Sequence, residues 1–280
     1  MRWSGLRLSV TLLTVIPLRS TVPPESPVSP VSPAQGRPLA PATVAAAMAW
    51  APAVGLLLGA AAAAVLLTAD HPLGTDSLTA GVLAIASLAA LSRGLHLDGL
   101  ADLADGLGSG KPAAGALQVM RRSDIGPFGT VTLILTLLVQ VTALSHAEAA
   151  GHGRGPAALI TAVVTGRLAM TWACRRGVAP ARPDGLGALV AGSVRPLVAA
   201  AITVAALAAA VAAVTVSATV LGEPLGWTLP LAIIAGLSAS LLLQRHAVGR
   251  LGGITGDVLG ALAEVATTVA LLVAAMGPPA

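Results

Sequence analysis

The sequence predicts an all-α protein, a polytopic membrane bundle of about seven transmembrane helices preceded by a short interfacial or membrane-entering helix. Three observations carry that prediction. The chain has 280 residues, of which 55% are apolar and only 10% charged, whereas a soluble domain carries about 25% charged residues. Mean hydropathy is +0.86, and apolar segments recur at 42–69, 78–95, 127–146, 156–174, 196–221, 226–244 and 256–276. Each is near the roughly 20 residues that cross a hydrocarbon core about 30 Å thick. Third, the basic residues gather between alternate segments. No soluble domain is left over, so residues 1–280 form one integral membrane domain.

The first 18 residues place Arg2 and Arg7 before an apolar run at 8–16 with no small-residue cleavage site after it, which argues for a short helix rather than a removable signal. Residues 22–41 hold seven prolines; proline lacks the backbone donor and fixes φ, so this stretch reads as an extended linker or insertion. The seven segments that follow are rich in Ala, the best helix former, and in the small residues that let membrane helices approach closely. With the N-terminus inside, Arg2, Arg7, Arg19, Arg37, Arg93, Lys111, Arg121, Arg122, Arg175, Arg176, Arg182, Arg195, Arg245 and Arg250 all fall inside, while the other face receives only Arg154. That asymmetry orients the bundle. The same dispersal excludes nucleic acid as a partner despite a net charge of +4, because no single basic patch exists. Cys174, the one cysteine, allows no internal disulfide or thiolate cluster and reads as an inert thiol near a helix end.

Chemistry is concentrated in the acids. Residues 93–110 read RGLHLDGLADLADGLGSG. Asp98, Asp102 and Asp105 are spaced i, i+4, i+7, which sets three carboxylates on one helical face, where like charges repel. A hard divalent cation offsets that repulsion, and Mg²⁺ takes carboxylate oxygens while keeping sites for water and phosphate. The bland alternative is a solvated loop. Residues 119–129 read VMRRSDIGPFG: Arg121 and Arg122 suit phosphate oxygens, though a juxtamembrane charge pair is an equally ordinary role. Residues 251–265 read LGGITGDVLGALAEV, with Gly252, Gly253, Thr255 and Asp257 at a helix start; Asp there is ordinarily a cap. Glu264 and Arg167, inside spans, need partners and are functional hypotheses by position. His71, His146, His152 and His246 read as solvated loop residues. His96 lies two residues before Asp98 and so faces away from the carboxylates.

These islands resemble the adenosylcobinamide-GDP ribazoletransferase (cobalamin synthase) family. The run from His96 to Gly106 matches the family's histidine-leucine-aspartate-glycine-leucine-alanine-aspartate pattern and the alanine-aspartate-glycine after it. The run from Gly252 to Ala261 matches the family's glycine-glycine, threonine-glycine-aspartate, leucine-glycine-alanine pattern, and Pro17 matches an early proline. The likeness extends from about residue 4 to 275. One departure is the order Arg122, Ser123, Asp124 where the family commonly has aspartate, serine, arginine. The resemblance implies a Mg²⁺-dependent phosphotransferase of a bacterial cytoplasmic membrane, with its site facing the cytoplasm. Its expected substrates are adenosylcobinamide-GDP and α-ribazole or α-ribazole 5′-phosphate, and its products GMP and adenosylcobalamin or its 5′-phosphate. On that reading Asp98, Asp102 and Asp105 hold the metal, Asp98 and Asp105 are catalytic, and Asp105 takes the ribazole proton. Arg121, Arg122, Gly252, Gly253, Thr255 and Asp257 contact substrate. A CDP-alcohol-type phosphotransferase and an ion-coupled transporter are the rival readings, and assembly as a homo-oligomer is left open.

Overall fold

The computed structural model describes residues 2–16, 39–151, 153–220 and 225–276. Pro17, Arg19, Arg37, His152 and most of the Pro-rich stretch lie outside the described residues. Eleven helices and no strand occur among those described, with two isolated bridges joining loops. Six helices are long and apolar enough to cross a bilayer: α2 (Pro41–Asp70), α6 (Pro127–Ala149), α7 (Arg154–Ala173), α9 (Pro196–Val220), α10 (Thr228–Leu251) and α11 (Gly256–Ala275). A seventh crossing is broken. Helix α3 (Ser77–Leu91) ends and α4 (Leu95–Gly108) leaves it at 88°. Three shorter helices complete the chain: α1 (Arg2–Leu13), α5 (Ala113–Val119) and α8 (Gly185–Val190).

The break between α3 and α4 has a backbone cause. Arg93 and Gly94 both adopt left-handed conformations, with φ of 56° and 66°, and two such residues in succession turn the chain sharply. The 15 residues of α3 reach only about 22 Å, so the segment expected at 78–95 does not cross as one straight rod. Helix α10 runs farther than the expected 226–244, because Gln244 to Arg250 remain helical. Polar residues mark a bilayer edge and need not end a helix. Gly252, at φ 83°, ends it.

Helices α11 and α7 sit at the centre, packed on each other and on α10, with α2 against α7 and α4 and α6 against α11. Close approach requires the small residues. A side chain at Gly55 or Gly59 of α2 would meet the α7 backbone at Val164 or Ile160, and one at Gly166 of α7 would meet Ala263 of α11. Helix α1 lies along α2, and Val15 donates to the Leu91 carbonyl at 2.8 Å, which pins the chain after α1 to the end of α3. Helix α9 is the most exposed of the crossing helices.

A polar path runs through this apolar interior. Arg167 of α7 is 1% exposed and its Nη2 lies 3.2 Å from Nδ1 of His96, with Glu264 the acid acting on it. Glu264 accepts from Gln140 of α6, which also donates to Thr268, both at 2.9 Å. The two spanning charges flagged by the sequence are therefore near each other, and four elements meet around them. A guanidinium only donates, so Nδ1 of His96 is the acceptor of this contact. His96 faces the core, away from the aspartates, as its two-residue offset predicts.

Candidate active site

At one end of the bundle, three connections converge: the α3–α6 region, the loop between α7 and α9, and the turn between α10 and α11. Helix α4 lies across the starts of α6 and α11. Gly99 permits this, because a Cβ there would stand 2.7 Å from the Asp257 carbonyl oxygen. Residue 253 likewise crosses the loop at 179–181 backbone to backbone. Ile254 donates to Ala179 and Ala181 donates back to Ile254, both at 2.9 Å. Gly252 and Gly253, expected to contact substrate, thus have structural tasks in turning and closing this end.

The three aspartates of α4 share a face and do different work. Asp98, in the first turn, is exposed, and Asp102 is half-buried. Asp105 is 8% exposed; its Oδ2 accepts from the Gly126 N–H at 2.7 Å and its Oδ1 from the Gly129 N–H at 2.9 Å. Those are unpaired donors at the start of α6, so Asp105 caps that helix from a different element. Asp257, on α11, joins the cluster opposite α4. It is not the cap of its own helix: the Thr255 hydroxyl accepts from Val258 N–H at 3.2 Å and donates to Asp257 Oδ2 at 3.2 Å, which leaves the Asp257 carboxylate within the cluster. Asp98, Asp257 and Asp105 all act electrostatically on Asp102. Four carboxylates gathered this closely need a counter-charge.

Part of it comes from Arg182, which the sequence offered only as an orienting charge. Its Nη2 lies 3.5 Å from Asp257 Oδ2 and donates to the Leu117 carbonyl at 3.4 Å. Its buried Nε has no partner among the described residues. The neighbouring arginines diverge. Arg121 holds Asp184 through two contacts of 2.9 and 3.0 Å beside a cleft of 290 Å³ that also takes in Arg182, Thr255 and Asp257. Arg122 turns the other way, into a cleft of 190 Å³ with Asp102, Asp105 and Asp124. Residues 121–126 are a loop, so the transposed order of Arg122 and Asp124 still brings both side chains to one cleft. The acidic cluster lies between two clefts, each with its own arginine.

The donor set suits a hard cation. Among the described residues these aspartates do not bring three oxygens within 4.8 Å of one another. Mg²⁺ asks for one or two carboxylates, with water and phosphate completing its shell, and that is what this open cluster offers.

Fold and site together define a class: a multi-pass membrane protein with an acidic cluster at the meeting of several helix ends. The chain belongs to the cobalamin-5-phosphate synthase family, whose pattern it matches over residues 5–275. It is 42% identical to an adenosylcobinamide-GDP ribazoletransferase of Frankia casuarinae, over 98% of this chain and 95% of that protein. It is 35% identical to the protein of that name in Bradyrhizobium diazoefficiens, over 97% of this chain and 93% of the relative. A third, from Desulforamulus reducens, is 31% identical over 98% of this chain and 97% of its own length. No solved structure matches the chain.

Proposed function

We propose that this chain transfers the adenosylcobinamide-phosphate part of adenosylcobinamide-GDP to α-ribazole or its 5′-phosphate, releasing GMP, at the cytoplasmic face of a bacterial cytoplasmic membrane. The observation that carries this reading is the meeting of Asp98 and Asp102 on α4 with Asp257 on α11, between two clefts that contain Arg121 with Arg182 and Arg122 respectively. A transfer between two large substrates needs two adjoining places and a charged seam between them.

Asp98, Asp102 and Asp257 are the residues that would hold Mg²⁺, which when bound neutralises charge on the phosphoryl group in transfer and on the departing nucleotide. Arg121, Arg122 and Arg182 supply planar donors to phosphate oxygens and orient the diphosphate. Thr255 keeps Asp257 available by capping α11 in its place. Asp105, with both oxygens on backbone N–H groups, holds the 126–129 turn against α4. That leaves Asp98 and Asp102 as the carboxylates able to take the proton of the ribazole hydroxyl. The arginine-rich end faces the cytoplasm by the positive-inside bias.

The test is direct. Purified protein in lipid is incubated with adenosylcobinamide-GDP, α-ribazole and Mg²⁺, and the nucleotide released is identified. GMP is expected, dependent on the acceptor and abolished by chelation. Release of CMP from a CDP-alcohol under the same conditions, with none of GMP, would assign the site to the rival phosphotransferase class.

A further inference from the structure

The opposite end of the bundle carries a second convergence of ligating groups, far from the aspartates of α4. We propose that Asp70, His71 and Glu148 form a binding site for a first-row divalent metal ion of the Zn²⁺ or Mn²⁺ type, joining the end of α2 to the end of α6. One ligand atom from each of the three lies within 4.8 Å of the others. Ligand bonds of about 2.0–2.2 Å place two donors across one ion up to about 4.3 Å apart, so small rotations of the side chains close the set on a cation.

Three further observations ask for positive charge at this place. Asp70 is the last residue of α2 and Glu148 lies in the last turn of α6, where each helix dipole presents its negative end and disfavours a carboxylate. Glu148 is only 9% exposed, and among the described residues no hydrogen bond to its carboxylate accompanies the charges of Asp70 and His71 that act on it. Gly155, in the first turn of α7, provides the room: a Cβ there would collide with Glu148 Oε2. An acid is thus held inside the protein beside another acid, in a space that a glycine leaves open.

Donor chemistry selects the class of ion. Two carboxylates and one imidazole suit Zn²⁺ or Mn²⁺ better than Mg²⁺ or Ca²⁺, which favour oxygen alone. The His71 side chain is 71% exposed, so the remaining coordination positions open to water. The set fastens two helix ends that both pack on α3 and α7.

The experiment uses full-length protein in lipid nanodiscs, freed of metal by chelation and titrated with Zn²⁺ by calorimetry, with Co²⁺ as an absorbing substitute. Wild type is expected to take up one more equivalent than His71→Asn or Glu148→Gln, at an affinity at least tenfold higher, and to gain thermal stability on adding Zn²⁺. His146→Ala, two residues before Glu148 on α6 and so on another face, is expected to bind as wild type does. The thermal transition of each variant is recorded without metal, so that a folding defect is told apart from a lost ligand. Equal stoichiometry and affinity in wild type and both ligand variants, or equal stabilisation by Zn²⁺, would overturn the site.

Discussion

Asp98 and Asp105 sit on the same face of α4, yet substituting them has opposite expected consequences. Asp98 is exposed and makes no hydrogen bond through its side chain among the described residues, so Asp98→Asn leaves packing intact. It removes a charge aimed at the transferring group, and turnover is expected to fall by at least about 100-fold, the scale of losing one electrostatic contact to a transition state. Normal GMP release from purified, membrane-inserted Asp98→Asn protein would remove Asp98 from the site. Asp105→Ala instead strands the N–H groups of Gly126 and Gly129, at a cost of about 1–3 kcal/mol for an unmet buried donor. The expected outcome is a lower melting temperature in detergent, with activity lost in parallel. The i, i+4, i+7 spacing was enough to find the acidic face. It could not separate the roles, because the groups that occupy Asp105 lie 21 and 24 residues downstream. Arg182 was missed for a similar reason: only the fold brings it to Asp257.

At the level of elements, the site depends on how closely α4 approaches α11, and that distance is set by a missing side chain. Gly99 faces the Asp257 backbone, where a Cβ would stand 2.7 Å from a carbonyl oxygen and 2.9 Å from Cα. Neither is a flexible tip that can swing aside. Gly99→Val is therefore expected to lift α4 and separate Asp98 and Asp102 from Asp257. The protein still inserts, since hydropathy is not reduced, but activity falls at least as far as in Asp98→Asn. Wild-type turnover in Gly99→Val would show that the two helices need not touch for catalysis. Hydropathy and glycine content made the spans and the small-residue packing legible from the sequence, including α6 and α11 to within a few residues. The 88° break was not legible. Apolar residues continue through Leu95 and Leu97 because α4 also packs an apolar face, so composition is continuous where direction is not. The signal lay in Arg93–Gly94, and a left-handed Arg is uncommon enough that no sequence pattern announces it.

For the molecule as a whole, the structure gives the charge asymmetry a physical form. The loops carrying Arg93, Lys111, Arg121, Arg122, Arg175 and Arg182 gather at one end with the last turn of α10 and its Arg250, tied by contacts such as Arg121 to Asp184 and Arg250 to the Lys111 carbonyl. Leu73, in the turn after α2, is 68% exposed at the other end. Orientation in the membrane can be read out with little background, because Cys174 is fully buried at 0% exposure and an impermeant maleimide should not reach it. Two single substitutions then make a pair. Leu73→Cys is expected to react with the reagent in intact cells. Lys111→Cys, in the exposed stretch after α4, is expected to react only once the membrane is opened. The pair tests the whole arrangement at once, since all crossings alternate from the same start. If Lys111→Cys were labelled in intact cells and Leu73→Cys protected, the bundle would be inverted and the clefts at Arg121 and Arg122 would face away from any cytoplasmic nucleotide.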